Sequence, residues 1–454
     1  MSIRWTNRDY IEQACPVCAA VGAIAFMEVD HAGRAICFQR CTKCHSVYPS
    51  PFVDDASDGV GGYKIGRSAD DMSLKHYVEV GAGVDSLIQP LLTVVDRPRG
   101  RLLDVGCGFG FLVAVWQSEA GLDCAHGIEL ASYGHWGREL LSIDISHTLL
   151  GSNPAVDGRT FDYVWAGEVI EHVDDPLAFL TQIKSRLAAG GMLLLTTPDA
   201  ACVSPETSAA DLMAALYLGA HRFLLSAEKF ESLLRSVGFA NVAVKRRGAT
   251  LVAWASDKPL PFLRDVEVRS AAITARYLEA LTDNANPWLR GGALYRLFKF
   301  SINQADFYAA DRYCDRLLDV VTDQIGPEKG WRVFINNIET KGLARADLIR
   351  AMPCYLGPFM FYRAMLLLNH YQNFGDAFRN FDLAGEICRY WVETSLEIAQ
   401  EPASLLTAIH FHRELCLRRL SLEGRELLAF SQINDPNGFS TFRKRYQDEL
   451  HWPA

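Results

Sequence analysis

The stretch that most constrains this chain is Arg101-Leu-Leu-Asp-Val-Gly-Cys-Gly-Phe-Gly110, which runs directly into the apolar segment Phe111 to Ala120. Leu102 to Val105 read as a short buried strand, the three alternating glycines as a tight turn, and the segment after them as a helix. Strand, glycine turn and helix in that order open a doubly wound α/β sheet. The glycines let the backbone come close to a ligand at the helix N-terminus.

The turn departs from the dinucleotide fingerprint G-x-G-x-x-G in an informative way. Gly106 and Gly108 are in place, but the third glycine position is Phe111, and glycine falls one residue early at Gly110. Asp104 ends the strand just before the turn. A carboxylate there repels a pyrophosphate and suits a cationic amino group, which favours S-adenosylmethionine (SAM), a ligand with an ammonium and a sulfonium but no phosphate. The next predicted strand, Cys124 to Leu130, carries Glu129, 23 residues beyond Gly106. A carboxylate at the end of the second strand accepts ribose hydroxyls.

The rest of the sheet follows from the same patterns. Phe161 to Trp165 is the expected fourth strand, with Asp174 or Asp175 capping the next helix and Pro176 at its first position. Leu177, Leu180, Ile183 and Leu187 mark the buried face of that helix, and Gly190-Gly191 is expected to end it. Met192 to Thr196 is the fifth strand. Ser226 caps a further helix with Phe230, Leu233, Leu234 and Val237 on one side and Gly238 as its stop.

The motifs LLDVGCGFG (102–110), GIEL (127–130), FDYVWAGEVIEHVDDP (161–176), GGMLLLTTPD (190–199) and HRFLLSAEKFESLLRSVGF (221–239) resemble class I SAM-dependent methyltransferases. The likeness is to the group that holds ubiquinone-biosynthesis O-methyltransferases and many sugar and natural-product methyltransferases, and it covers about residues 72 to 250. It implies a Rossmann-like methyltransferase sheet with a SAM pocket formed by Asp104, Gly106, Cys107, Gly108, Gly110, Glu129, Ala166 and Glu168. The Glu168-Val-Ile-Glu171-His172 run would line both the SAM and acceptor pockets.

A hydroxyl acceptor must also lose a proton, preferably to a group titrating near neutrality. Glu168, His172 and His221 are the catalytic candidates. Each histidine has a structural alternative: His172 as a residue that orders its loop, His221 as a helix-border residue bonded to backbone. His221 follows the segment Ala200 to Leu218, where the resemblance places a substrate-covering insertion. Base-methylating enzymes usually carry Asn/Asp-Pro-Pro-aromatic after the fourth strand, and Ala166-Gly167-Glu168-Val169 stands there instead.

Five of the twelve cysteines fall within the first 44 residues. Cys15-Pro-Val-Cys18 and Cys41-Thr-Lys-Cys44 form two knuckles separated by 22 residues. Each aims two thiolates at one point, and together they complete a tetrahedral site suited to structural zinc, with Cys15, Cys18, Cys41 and Cys44 as ligands. The segment between them reads as two strands about a turn at His31 to Arg34, a zinc ribbon. Buried structural thiols are the alternative, and Cys37 and His45 stand as spare ligands. A zinc segment ahead of this core resembles sugar-modifying methyltransferases, some acting on carbon of nucleotide-linked deoxysugars, although those continue into another α/β domain. Tyr63 and Tyr77 follow the knuckles as a pair that would cover an acceptor, with packing residues as the alternative.

Beyond about Leu260 no strand alternation persists. Phe307, Ala310, Cys314, Leu317, Leu318 and Val321 show helical spacing, as do Phe378, Phe381, Ile387, Tyr390 and Trp391. Breaks are expected at Gly326-Pro327, Pro353, Gly357-Pro358, Gly375 and Pro402. Gln304 to Tyr313 and Gln372 to Phe381 are loosely alike, so an all-α bundle or short tetratricopeptide-like array is expected. Its roles would be self-association, a protein-partner surface, or a platform for a large acceptor.

The organisation expected is residues 1–60 zinc ribbon, 61–255 methyltransferase core and 256–454 helical domain. The net charge of −9 weighs against RNA as the acceptor. The most apolar late stretch, Leu356 to Leu368, is too short to span a bilayer and carries Arg363. A cytoplasmic methyltransferase is expected, acting on a hydroxyl or carbon of a sugar, nucleotide-sugar or glycan. The alternatives are a small quinone-like or natural-product acceptor, RNA, or SAM binding without turnover.

Overall fold

The computed structural model describes residues 2–31, 34–50, 71–80, 84–326, 352–394 and 400–431. The turn residues 32 and 33, the Gly/Asp-rich stretch around Tyr63, and Pro327 lie outside them. Strands β1 (Ser2–Ala14), β2 (Val21–His31), β3 (Arg34–Cys41) and β4 (Val47–Ser50) form an antiparallel sheet in that order. Only β2 and β3 are legible as alternating segments. Register shifts between Trp5 and Asp9 and between Ile11 and Ala14 break the period-two pattern of β1.

This four-stranded sheet packs on the following α/β core by its apolar face. Met27, Val29, Ile36 and Phe38 are buried together with Leu212, Leu216 and Leu224. Polar contacts reinforce this packing. Val47 and Leu224 exchange backbone hydrogen bonds of 3.0 and 2.7 Å, and the Ser226 hydroxyl donates to the Cys44 carbonyl at 2.8 Å. The Arg40 guanidinium donates to the Val203 carbonyl at 3.0 Å.

After α1 (Asp71–Glu79) and α2 (Val84–Leu92) the chain builds the second sheet. Its elements are β5 (Leu102–Val105), α3 (Phe111–Ala120), β6 (Ala125–Ile128), α4 (Ser132–Leu141), β7 (Ile145–Ser146), β8 (Phe161–Gly167), α5 (Pro176–Ser185), β9 (Leu187–Pro198), α6 (Ala209–Leu216), α7 (Ala227–Ser236), β10 (Asn241–Arg247) and β11 (Thr250–Ser256). Seven strands lie in the order β10-β11-β9-β8-β5-β6-β7. Strands β5 to β9 pair in parallel, and β11 is antiparallel to both β9 and β10. Strand order reverses at β5, between β6 and β8, so the carboxyl ends of these strands form the crevice where a doubly wound sheet receives its ligand.

Two local expectations need correction. Helix α5 ends at Ser185, before Gly190-Gly191, and Leu177 on its first turn is 45% exposed. The glycines belong to β9. Leu187 pairs with Phe161 and Met192 with Tyr163, so the residues between them bulge opposite Asp162. Gly190 takes φ +77° there, and a Cβ on Gly191 would sit 3.0 Å from the carbonyl oxygens of Phe161 and Asp162. A cap and a bulge both demand glycine, and only the register of β8 distinguishes them.

The remaining helices are α8 (Val266–Leu281), α9 (Pro287–Asn303), α10 (Phe307–Ile325), α11 (Leu356–Asn369), α12 (Phe374–Thr394) and α13 (Gln400–Ser431). Among the described residues, 75–80 and those from Leu278 onward make one compact unit, and the ribbon and large sheet make the other. Within the helical unit α9 packs on α10, α11 on α12, and α12 on α13. The two similar segments mark equivalent hairpin turns, each with a left-handed residue, Ala305 or Gln372, followed by a capping Asp306 or Asn373. Gly357-Pro358 and Pro402 lie inside the first turns of α11 and α13 rather than between helices, where proline's missing N–H is tolerated. Lys75, buried in this unit, donates to the Met352 carbonyl at 2.7 Å, and the Glu79 carboxylate accepts from the Cys354 N–H at 2.7 Å. Among the described residues no helix is long and apolar enough to cross a membrane.

Candidate functional site

The glycine turn after β5 is held in a shape only glycine adopts freely. Gly106, Gly108 and Gly110 have φ of +75°, +56° and +85°. A Cβ on Gly106 would lie 2.4 Å from a Val169 methyl, and one on Gly110 would lie 2.4 Å from the Ile143 Cδ1. The Gly106 and Cys107 amides donate to the Ile128 carbonyl, which ties the turn to β6.

Two predicted cofactor carboxylates converge on this turn. Glu129 accepts from the Gly108 amide and the Ala131 amide, both at 2.8 Å. Asp104 is 2% exposed and its Oδ1 has no hydrogen-bond partner among the described residues. Burial, and then the nearby Glu129 charge, raise the Asp104 carboxyl well above its usual range. A buried acceptor left open beside a second carboxylate fits an incoming cation, and SAM supplies one as its ammonium. Cys107 is buried in the turn, and Ala166 is fully buried within β8. Glu168 follows β8 at φ +56°, a strained conformation for a non-glycine residue, with its amide bonded to the Thr196 carbonyl at 3.0 Å.

A second cluster forms beside the end of β8. Glu171 is fully buried; its Oε2 accepts from the Thr197 hydroxyl at 3.0 Å, and its Oε1 has no hydrogen-bond partner among the described residues. His221 Nε2 lies 3.8 Å from that Oε1, while His221 Nδ1 and the Ala215 carbonyl are 2.6 Å apart. His172 Nδ1 meets the Ala220 carbonyl at 3.1 Å, and the two imidazoles lie 4.6 Å apart at 70°. Ligand atoms of Glu171, His172 and His221 all fall within 4.8 Å of one another.

Burial governs the charges of this cluster. It pulls His172 down to about 3, with His221 adding to the effect, and His221 down to about 4. It also pushes Glu171 well above the ordinary carboxyl range, with the Glu168 charge contributing. Both histidines bond backbone carbonyls, and both also face the buried carboxylate. Glu171 stands in the Glu-x-x-Glu-His run expected to line the pockets, but it was not among the catalytic candidates. Its partner Thr197 gave no sequence signal at all, because only strand pairing brings it there.

The four knuckle cysteines meet as their spacing implies. Cys15 and Cys44 Sγ are 3.7 Å apart, Cys18 and Cys41 Sγ are 3.6 Å apart, and all four lie within 4.8 Å. Backbone amides of Val17, Lys43 and Cys44 point at Cys15 or Cys41 sulfur. Cys37 is not part of this group; its Sγ faces the Phe38 carbonyl. His45, at φ +59°, is likewise outside it.

A seven-stranded sheet of this order, with a glycine turn and an acidic pair at its switch point, defines a nucleoside-binding α/β domain. The chain belongs to the class I SAM-dependent methyltransferases. A methyltransferase-domain family model matches residues 74–244. A ubiquinone biosynthesis O-methyltransferase from Dinoroseobacter shibae is 34% identical over 157 residues, covering 32% of this chain and 62% of that protein. A protein of the same name from Cereibacter sphaeroides is 31% identical over 176 residues, covering 35% of this chain and 69% of that one. A solved SAM-dependent methyltransferase from Thermotoga maritima is 19% identical, with a TM-score of 0.32 over 41% of this chain and 99% of that one.

Proposed function

We propose that this chain transfers the methyl group of SAM to a hydroxyl of a small phenol- or catechol-like acceptor. In this reading Glu171, His172 and His221 hold a divalent cation that activates that hydroxyl. The observation that carries it is the meeting of one carboxylate and two imidazoles, all buried, at the carboxyl end of β8. Two imidazoles and a carboxylate are a common donor set for divalent transition metals. The buried histidines stay uncharged, which is the form that binds metal.

The same residues make poor unaided bases. A phenolic hydroxyl titrates near 10, so an imidazole held near 4 faces a proton transfer uphill by about six units, or about 8 kcal/mol. A cation beside the hydroxyl removes much of that deficit by stabilising the oxyanion. Asp104 would hold the SAM ammonium and Glu129 its ribose hydroxyls. Gly106, Cys107, Gly108, Gly110 and Ala166 would shape the pocket, and Glu168 would sit between the cofactor and acceptor sides. SAM supplies the electrophilic methyl, and positioning contributes much of the rate.

The O-methyltransferases matched above support a small ring acceptor over the sugar or glycan that the knuckles first pointed to. The four ribbon thiols are read as a structural zinc site. Sulfurs on a tetrahedron of Zn–S bonds near 2.3 Å stand about 3.8 Å apart, close to the 3.6 and 3.7 Å between the paired cysteines.

The test is calorimetry with SAM, then labelled methyl transfer to catechols, nucleotide sugars and RNA, before and after chelation with Mg2+, Mn2+ or Zn2+ restored. Transfer confined to nucleotide sugars or RNA overturns the acceptor. Catechol transfer indifferent to chelation overturns the cation. No SAM binding at high micromolar concentration overturns both.

A further inference from the structure

The helical unit leaves an aromatic patch open at one end. The turn from α9 to α10 and the turn from α11 to α12 meet there. The His370 ring centre lies 5.4 Å from that of Phe307 and 5.8 Å from that of Tyr308, and Tyr371 packs on His370 at 4.8 Å. Tyr308 is 85% exposed and Tyr371 49%. Aromatic rings gathered in water in this way mark a contact surface.

The charges beside the patch select what it contacts. From Tyr308 the outer face of α10 continues through Asp311, Asp315, Asp319 and Asp323, an acidic residue at every fourth position. Like charges at this spacing repel one another. Arg316 on the same helix is engaged by Asp283 instead. The bond that its hydroxyl gives Asp311 pushes the Tyr371 phenol up to about 12, so the first of these carboxylates borders the aromatic patch.

A cationic segment with aromatic flanks suits such a face, and Phe442-Arg443-Lys444-Arg445-Tyr446 supplies one in the sequence after α13. It departs from the same end of the unit. The Arg419 guanidinium of α13 lies 5.6 Å over the Phe374 ring, at the start of α12, and the helix continues to Ser431. That overhang is roughly 18 Å of helix. Arg443 comes 12 residues after Ser431, a stretch of chain that spans up to about 40 Å and can therefore turn back to the patch. Alternate residues of an extended segment stand about 6.6 Å apart, close to the rise of about 6 Å over four helical residues. Arg443 and Arg445 thus match successive aspartates of α10.

We propose that residues 442–446 dock on this face of their own chain, with Arg443 and Arg445 on Asp311 and Asp315 and the aromatic flanks against Tyr308 and Tyr371. The docking is independent of the acceptor and of the cation proposed above.

The test is carbodiimide coupling in the full chain, which joins a lysine to a carboxylate in contact with it, followed by mass mapping of the joined peptides. Lys444 should be joined to Asp311 or Asp315. In a mixture of unlabelled and nitrogen-15-labelled chains, each joined pair should carry a single label. Arg443→Glu combined with Arg445→Glu keeps Lys444 and should lower the yield more than tenfold. Tyr308→Ala, at an exposed position, should lower it roughly twofold to fivefold, as for loss of an exposed cation–π contact. Melting curves should be unchanged in both. Lys444 joined only to other carboxylates, or an equal yield in the double variant, overturns the docking. Pairs of mixed label make a second copy the occupant and overturn docking within one chain.

Discussion

Glu171 Oε1 and His221 Nε2 face each other at 3.8 Å in the protein interior, and that oxygen has no hydrogen-bond partner among the described residues. A buried carboxylate oxygen without a partner is unfavourable, and a cation shared with the two imidazoles would satisfy it.

Glu171→Gln tests this pair directly. The amide keeps the size of the side chain and its bond to Thr197 but supplies no anionic ligand. Turnover should fall on the order of 10²- to 10³-fold, as for loss of one electrostatic stabiliser, while SAM affinity measured by calorimetry stays within about twofold. An equal loss of SAM affinity would mean that the residue serves the cofactor pocket.

The histidines make a pH prediction for the metal-free protein. Both are ordinary near 6.5 when unfolded and are depressed in the fold, to about 3 for His172 and about 4 for His221. The unfolded chain therefore binds more protons between these limits, so their contribution to stability is full above 6.5 and declines as pH falls toward 4. Glu171, raised in the fold, works in the opposite sense. Melting curves in chelator should show wild type losing more stability from pH 7 to 4 than a His172→Gln, His221→Gln double variant. Parallel curves would refute the buried, neutral assignment.

What was legible in the sequence follows how local each determinant is. The turn from Asp104 to Gly110 declares itself because strand, glycines and helix are contiguous, and the caps Asp175 and Ser226 sit beside the helices they start. Gly190-Gly191 misled because its role depends on β8. The ribbon's attachment through Ser226 and Cys44, and the inclusion of Lys75–Gly81 in the helical unit, rest on contacts between distant segments that leave no periodic trace. Glu171 was visible as a pocket-lining residue but not as a partner of the histidines, since His221 and Thr197 reach it only through the folded sheet.

Metal removal should affect more than the ribbon. Cys15 and Cys41 share an apolar cluster with Phe223, Phe230 and Leu234 of the core, so their order is coupled to the large sheet. Chelation, or Cys18→Ser, is expected to lower the melting temperature of the unit by about 10 °C, which at this size corresponds to a few kcal/mol. Zinc content should fall with it. Full zinc loss with an unchanged melting curve would refute the coupling.

Asp104→Asn should separate stability from function. The carboxyl is buried, lacks a partner for Oδ1, and is raised well above its usual value near 3.8. A group raised in the fold binds its proton more tightly there than in the unfolded chain, so its charged form costs stability as pH rises from 3.8 through the folded value. Asparagine never ionises, and the variant should melt above wild type near neutral pH, with the gap narrowing toward pH 4. In the proposed reading the same change removes the anion that would meet the SAM ammonium, so affinity for SAM should drop by roughly tenfold to a hundredfold, as for a charge-assisted hydrogen bond worth about 1.5–3 kcal/mol. Calorimetry and melting on one preparation test both halves, and a variant that melts lower and binds SAM normally would show that Asp104 serves the fold rather than the cofactor.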